Sequence, residues 1–384
     1  MDYHPSMSEM FDVVVLGLGV MGASAVHQLA ERGVRVLGLD ANQRGHVLGS
    51  SHGRSRIIRE AYYEAVEYVP LVQRAFTQWR ELEQETGLEL LLMTGCLNIG
   101  EPGTHVVDGV IASAMRHGLL SEVLHADALR DRFPAFALPE SHVGVFQPNA
   151  GVLNADVCVG ALLDAAVARG ATTRHGEMVS GWDPDGDGVI VRTPRGAIRA
   201  SRLVITAGPW SASVLSGLGL PLQAVRQYVV HFEPRDPERF SPPGFPAFIW
   251  DVAEGEVYGI PYLAGSGFKV GGHDPGEPCT PETARRHVTV DEIESVRTIF
   301  ERCLPGSATT LLMTATCLYT VTPDRHFIID RHPEHPQVSY AAGFSGHGFK
   351  FGPAIGEVLS NLALDGSTRH DIAFLGAKRF ATSS

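Results

Sequence analysis

The chain of 384 residues is poor in lysine, in paired cysteines and in long apolar runs. No apolar stretch approaches the roughly 20 residues that a membrane span requires, and the first ten residues show neither the basic nor the apolar region of an export signal. The five cysteines, Cys96, Cys158, Cys279, Cys303 and Cys317, are odd in number, widely spaced and without a C-x-x-C pair, so neither a disulfide framework nor a zinc site is indicated. A reducing cytoplasm is the expected compartment. Positive charge is scarce too. With 31 basic against 43 acidic residues the net charge is -12, which argues against binding nucleic acid or an anionic membrane through charge. Lysine is almost absent: Lys269, Lys350 and Lys378 are the whole set. Two of these three stand in glycine-rich segments, Gly265-Ser-Gly-Phe-Lys269-Val-Gly-Gly and Gly346-His-Gly-Phe-Lys350-Phe-Gly, where a compact ammonium of tunable acidity has a use that arginine does not serve. The plain alternative is a solvated face that happens to keep them.

The length suggests two domains, and the amino terminus defines the first. An apolar strand from Asp12 to Leu16 runs into Gly17-Leu-Gly19-Val-Met21-Gly22, then a helical pattern through Ala25, Val26, Leu29 and Ala30, then a strand from Arg35 to Leu39 closed by Asp40. This is a βαβ unit with a dinucleotide signature. Gly17 permits the tight turn, Gly19 the approach of a pyrophosphate and Gly22 close helix packing, while Asp40 can accept from a ribose. The pattern does not separate NAD from FAD. After a helical stretch around Leu71, Ala75, Trp79 and Leu82, the regular βα alternation breaks off. A helix over Ala155 to Ala168 leads into a meander from Gly181 to Ala200, and a buried strand ends at Gly208. Residues 222–320 alternate like antiparallel strands and hold one clear helix, Asp291 to Cys303. The end returns to α/β with strands Phe327 to Ile329 and Val338 to Ala342, a glycine loop and a helix over Pro353 to Leu364. The expected division is residues 10–92, 150–221 and 322–384 for a nucleotide domain, and 93–149 and 222–321 for a second, mostly antiparallel domain intertwined with it.

Three local patterns point elsewhere and fail. Asp183-Pro-Asp-Gly-Asp-Gly188 begins like a calcium loop but has Pro194 where a bidentate Glu belongs. Gly343-Phe-Ser345-Gly-His347 has His where a nucleophile elbow closes on Gly. Pro333 breaks the helical facing that His332 and His335 need to share a metal.

Four segments together carry a resemblance: Gly49-Ser-Ser-His52-Gly-Arg-Ser55-Arg56-Ile-Ile-Arg59, Gly265 to His273, Cys317-Leu-Tyr319 and Gly343-Phe-Ser-Gly-His347-Gly-Phe-Lys350. They are similar to the monomeric sarcosine oxidase and N-methyltryptophan oxidase family, from the first strand to the last helix. The resemblance implies an α/β plus β architecture: a glutathione-reductase-like, Rossmann-type FAD domain with an intertwined, mostly antiparallel catalytic domain over the flavin. It implies FAD held covalently through Cys317. It places Gly17, Gly19, Met21, Gly22, Asp40, Ser50, His52, Ser55, Arg56, Gly208, Gly343, Gly346, His347, Gly348 and Lys350 with Cys317 at the cofactor. Arg59 and Lys350 are then expected at a substrate carboxylate, with His273, Tyr258 and Tyr319 around the amino acid and Lys269 and Arg56 at the flavin face. Each tyrosine has core packing as its alternative role, and the arginines have ion pairing. Arg56 and Arg59 share a face only if their stretch is helical. The last helix and the loop before it can stabilise negative charge on the flavin through N–H groups and dipole. The implied reaction is oxidative demethylation of sarcosine or a similar N-methyl amino acid by dioxygen, in a monomer, without metal. The competing readings are a bulkier secondary amino acid such as N-methyltryptophan or pipecolate, an NAD-linked dehydrogenase, and a flavin-binding sensor without chemistry.

Overall fold

The computed structural model describes residues 9–273 and 276–380. Its first sheet has a parallel centre. Thr172–His175, Val36–Asp40, Glu9–Leu16, Gly196–Ile205 and Val338–Ala342 lie side by side, and Ile328–Arg331 adds an antiparallel edge. The near half of Gly196–Ile205 continues into the antiparallel meander Gly188–Thr193 and Gly181–Asp185. Apolar runs make such a centre because both faces are covered. Val13 and Val15 join one apolar cluster with the helices, and Val14 joins another on the opposite face.

Helices Val20–Glu31, Ala155–Ala168 and Gly352–Asp365 cover one side. Their approach is close enough to dictate residue type. A Cβ on Gly356 would stand 2.5 Å from the Ser24 backbone, and one on Gly22 would stand 1.7 Å from the Gly17 carbonyl oxygen. Gly17 itself has φ +91°, open to glycine at little cost.

The second sheet has nine strands. From one edge these are Glu122–His125, Val143–Gln147, Cys96–Gly100, Ala247–Val252, Gly255–Leu263, Gly267–Gly272 and Gln223–Glu233, the last also pairing Glu277–Cys279. On its far side Gln223–Glu233 pairs along its whole length with Thr310–Val321, the strand that bears Cys317 and Tyr319. Pairing is antiparallel except between Ala247–Val252 and Cys96–Gly100. An aromatic core of Phe136, Phe240, Phe245, Phe248, Phe268 and Phe300 fixes the face of this sheet turned from the site, each ring contributing on the order of 1.5–3 kcal/mol by burial.

Two features go beyond the sequence reading. Helices His105–His117 and Ala126–Arg132 lie among the strands of the second region. A third, three-stranded sheet of Arg56–Arg59, Ala150–Leu153 and Leu91–Met93 stands apart from both large sheets. Because Arg56 to Arg59 is a strand, these two residues, an odd number of positions apart, point to opposite faces. The helical condition for a shared face is not met, and the two arginines reach different surroundings.

Candidate active site

The glycine turn is tied from behind. Asp40 accepts from the backbone N–H of Leu18 and of Asn42, both at 2.8 Å, so part of its hydrogen-bonding capacity holds the turn itself. The first helical N–H, at Val20, donates to Ser51 Oγ at 2.9 Å. Sequence reasoning named Ser50 and not this serine, although the two are adjacent. Ser50 instead donates to the carbonyl of Leu318, tying its loop to the strand of Cys317. Met21 is buried in the first helix, and Gly208, at φ +52°, has open space beside it.

Arg56, Lys269, His52 and Cys317 form one electrostatic neighbourhood. The Arg56 guanidinium donates to three backbone carbonyls, Ser55 at 2.8 Å, Ser50 at 3.0 Å and His52 at 2.7 Å. Lys269 is 5% exposed, and its Nζ donates to the Ser55 carbonyl at 2.9 Å. Burial, reinforced by Arg56, draws its ammonium down to about 7. Burial raises the Cys317 thiol, with Arg56 and Lys269 opposing. His52 is held down at about 4, by burial first and then by the same two cations, and is neutral at pH 7.

The residues expected at a substrate carboxylate meet on the other face. Arg59 is 2% exposed. Its guanidinium lies between two rings, 4.2 Å from the centroid of Tyr62 and 4.3 Å from that of Tyr63. Its Nη2 donates to both oxygens of Glu64 at 2.7 Å. Burial pushes the Glu64 carboxyl up, but Arg59, His347 and Lys350 outweigh it and hold the group near 2. Lys350, 6% exposed, donates to the His347 carbonyl at 2.7 Å and the Tyr62 hydroxyl at 3.3 Å. Burial and Arg59 draw it down to about 7 against the pull of Glu64. Tyr62 also meets His347 Nδ1 at 2.6 Å, and burial holds that imidazole near 3, hence neutral. Trp79 Nε1 donates to the Lys350 carbonyl at 2.9 Å and fixes the turn.

Tyr258, Tyr319 and His273 connect the two groups. Tyr258 lies near Tyr319, Cys317 and Arg56, and burial raises its hydroxyl, while the His273 and Tyr319 rings are 5.8 Å apart. A Cβ on Gly346 would lie 2.2 Å from the Tyr319 ring, so the glycine loop is laid flat against that tyrosine. In the same loop Gly343 is left-handed at φ +65° and a Cβ on Gly348 would strike Phe344. Sequence reasoning missed Tyr62, Tyr63 and Glu64. Their one signal is position, directly after Arg59 in Arg59-Glu-Ala-Tyr-Tyr-Glu64.

Residues 12–362 match the FAD dependent oxidoreductase family. Along 382 residues, 98% of this chain and 100% of the relative, the sequence is 41% identical to a monomeric sarcosine oxidase of Streptomyces avermitilis. The chain belongs to this family of flavin-dependent oxidoreductases. A Bacillus monomeric sarcosine oxidase is 42% identical over 97% of both chains. Among solved structures, the open form of NikD, an amino acid oxidase essential for nikkomycin biosynthesis, superposes with a TM-score of 0.84 at 27% identity, covering 96% of this chain and 98% of that one.

The oxidoreductase's own residues fit FAD. His52 Nε2 and Ser55 Oγ are buried with no hydrogen-bond partner, beside Arg56 and Lys269, and orphaned polar atoms of this kind call for a bound polar group. The glycine turn at the amino-terminal helix supplies the matching anion site for a pyrophosphate. No helix among the described residues is long and apolar enough to cross a membrane.

Proposed function

We propose that this chain oxidises a small N-methyl amino acid, sarcosine first, to the primary amino acid, formaldehyde and hydrogen peroxide. The observation that carries this reading is the pair of buried cations, Arg59 and Lys350, sharing Tyr62 beside a wall of Tyr258, Tyr319 and His273. A buried cation pair is costly unless an anion joins it. Glu64 supplies one, and the substrate carboxylate supplies the second by taking over donors that Glu64 now holds on Arg59. Arg59 offers a planar fork and Lys350 a point charge, so together they fix the carboxylate's orientation.

With the carboxylate held there, the aromatic wall encloses the amine and excludes water. When bound, FAD supplies two-electron oxidation of the N-methyl C–H bond and returns the electrons to dioxygen. The resulting imine leaves the electron-rich wall to hydrolyse. Lys269, with its single carbonyl partner, offers positive charge where dioxygen acquires negative charge. Cys317, beside Arg56 and Lys269, would hold the flavin by a thioether on this reading. The chain acts as a monomer in the cytoplasm on this reading.

A panel of secondary amines assayed for peroxide tests the activity. Sarcosine should turn over well and N-methylethylamine, which lacks a carboxylate, hardly at all. Equal turnover would remove the carboxylate site, and preference for N-methyltryptophan or pipecolate would replace sarcosine with the bulkier substrate. Absence of peroxide with any of them would leave a flavin protein without chemistry. Acid precipitation tests the linkage: the wild-type pellet should stay yellow and Cys317→Ser should release its flavin. Release from the wild type refutes the thioether.

A further inference from the structure

The two aromatic plates that enclose Arg59 are anchored in different ways. Tyr62 is tied to the glycine loop and its lysine, through His347 Nδ1 and Lys350 Nζ. Tyr63 turns to the nine-stranded sheet, where its hydroxyl donates to Glu256 Oε1. Glu256 lies on Gly255–Leu263, two positions before Tyr258 and therefore on the same strand face. Its own carbonyl accepts from the His273 N–H at 2.8 Å. The ring of Tyr63 is backed by His105, edge-on at 5.5 Å, and its backbone lies against the helix at Gly109, where a Cβ would come within 2.5 Å of the Tyr63 carbonyl oxygen. The segment is pinned further by Gln147, which accepts from the Ala61 N–H at 2.9 Å and donates to its carbonyl at 3.2 Å. Nothing in the reaction derived above uses Glu256, yet a carboxyl set among Tyr63, His273, Arg59 and Glu64 is a costly choice for a residue that only fills space.

We propose that Glu256 is a positioning residue for substrate: through the Tyr63 hydroxyl it holds one aromatic plate against Arg59 and so sets the guanidinium where the substrate carboxylate meets it. Without that hydrogen bond Tyr63 keeps its packing on one side but loses the constraint on its far end, and the cation–π face it offers Arg59 becomes variable. The carboxylate binds alike before and during C–H cleavage, so the effect belongs to uniform binding and appears in KM with kcat preserved. The inference rests on Arg59 being the carboxylate site proposed above.

The test is a double-mutant cycle on the holoenzyme. Two quantities are read: KM and kcat for sarcosine, and the calorimetric Kd of methylthioacetate, a carboxylate with sulfur in place of the reacting nitrogen. Tyr63→Phe and Glu256→Leu should each raise KM and Kd about tenfold, in line with loss of one hydrogen bond at a buried site, with kcat within about twofold. The double variant should be no worse than either single one, because both remove the same bond. Glu256→Gln, still an acceptor for the Tyr63 hydroxyl, should stay within about threefold of wild type. It also completes a cycle with Tyr63→Phe should the leucine variant not fold.

Additive losses, a fall in kcat at constant KM, or a lowered thermal midpoint with unchanged KM would each overturn the positioning role. A wild type that neither oxidises sarcosine nor binds methylthioacetate overturns the proposed function. A wild type that does both, with variants indistinguishable from it, overturns this inference alone.

Discussion

Lys269 and Lys350 stand in glycine-flanked segments, both are buried, and burial draws both to about 7, yet they keep different company. Lys269 rests on one backbone carbonyl, and the charge that acts on it most strongly is another cation, Arg56, with a weaker opposing pull from Asp156. Lys350 belongs to a network with Arg59, Glu64, Tyr62 and His347 that already contains an anion. Lys378, the third lysine, is exposed. Similar acidity from dissimilar surroundings implies dissimilar work. A cation beside a second cation and a carbonyl suits charge that appears only during reaction, whereas a cation in a network with an anion suits charge that arrives with the substrate.

The largest break in that comparison comes from Lys269→Met, which keeps volume and removes charge. Reoxidation by dioxygen should slow by two to three powers of ten, corresponding to about 3–4 kcal/mol of electrostatic stabilisation, while anaerobic reduction by substrate changes far less. Stopped-flow measurement of the two half-reactions separates them. Collapse of reduction with normal reoxidation would move Lys269 to the substrate side.

Next in size is the pair proposed to hold the substrate carboxylate. Lys350→Met and Arg59→Lys should each weaken methylthioacetate binding by roughly ten to a hundredfold, the cost of one charge-assisted contact. Arg59→Lys loses the planar fork offered to the ligand carboxylate and the Nη2 donor that both Glu64 oxygens now share, so it should be the worse of the two and should free Glu64 as well. Neither should alter the rate of reoxidation by dioxygen. If Lys350→Met slows reoxidation as Lys269→Met does, the two lysines are not distinct.

How far the sequence carried this picture depends on the range of the interactions. The glycine turn, the helix Ala155–Ala168 and the strand Val338–Ala342 were readable because a periodic pattern or a local motif specifies each. The lysine shortage pointed to Lys269 and Lys350 without any geometry. The partners of those residues were not readable. Ser55 meets Lys269, and Glu256 meets Tyr63, across 214 and 193 positions of chain, and no spacing rule links them. Arg59 and Glu64 are near in sequence, but only the strand geometry shows that Arg59 turns away from Arg56 and toward an acid. The small sheet of Arg56–Arg59 was hidden because its strands, of three or four residues each, are too short to show a period.

The smallest effect is the most selective. Around Lys350, Glu64 is held near 2, His347 near 3 and Cys96 is pushed up to about 12, while Arg59 and Tyr62 are raised beyond the working range. Within that network only Lys350, at about 7, changes charge near neutrality. It is cationic below that value and neutral above it, so a carboxylate ligand meets the full cation at low pH and loses that attraction as pH rises. Methylthioacetate is itself ionised throughout, its carboxyl titrating well below pH 6 like other carboxylates. Its Kd should therefore increase by up to about tenfold between pH 6 and pH 9, and the midpoint should lie above 7 because the bound anion favours the charged lysine. Lys350→Met should flatten the profile. Lys269→Met should leave the slope in place, since Lys269, for all its equal acidity, sits on the other side of the site. A calorimetric pH series on the three proteins reads the difference directly, and a slope that survives Lys350→Met but disappears with Lys269→Met would reverse the roles assigned to the two.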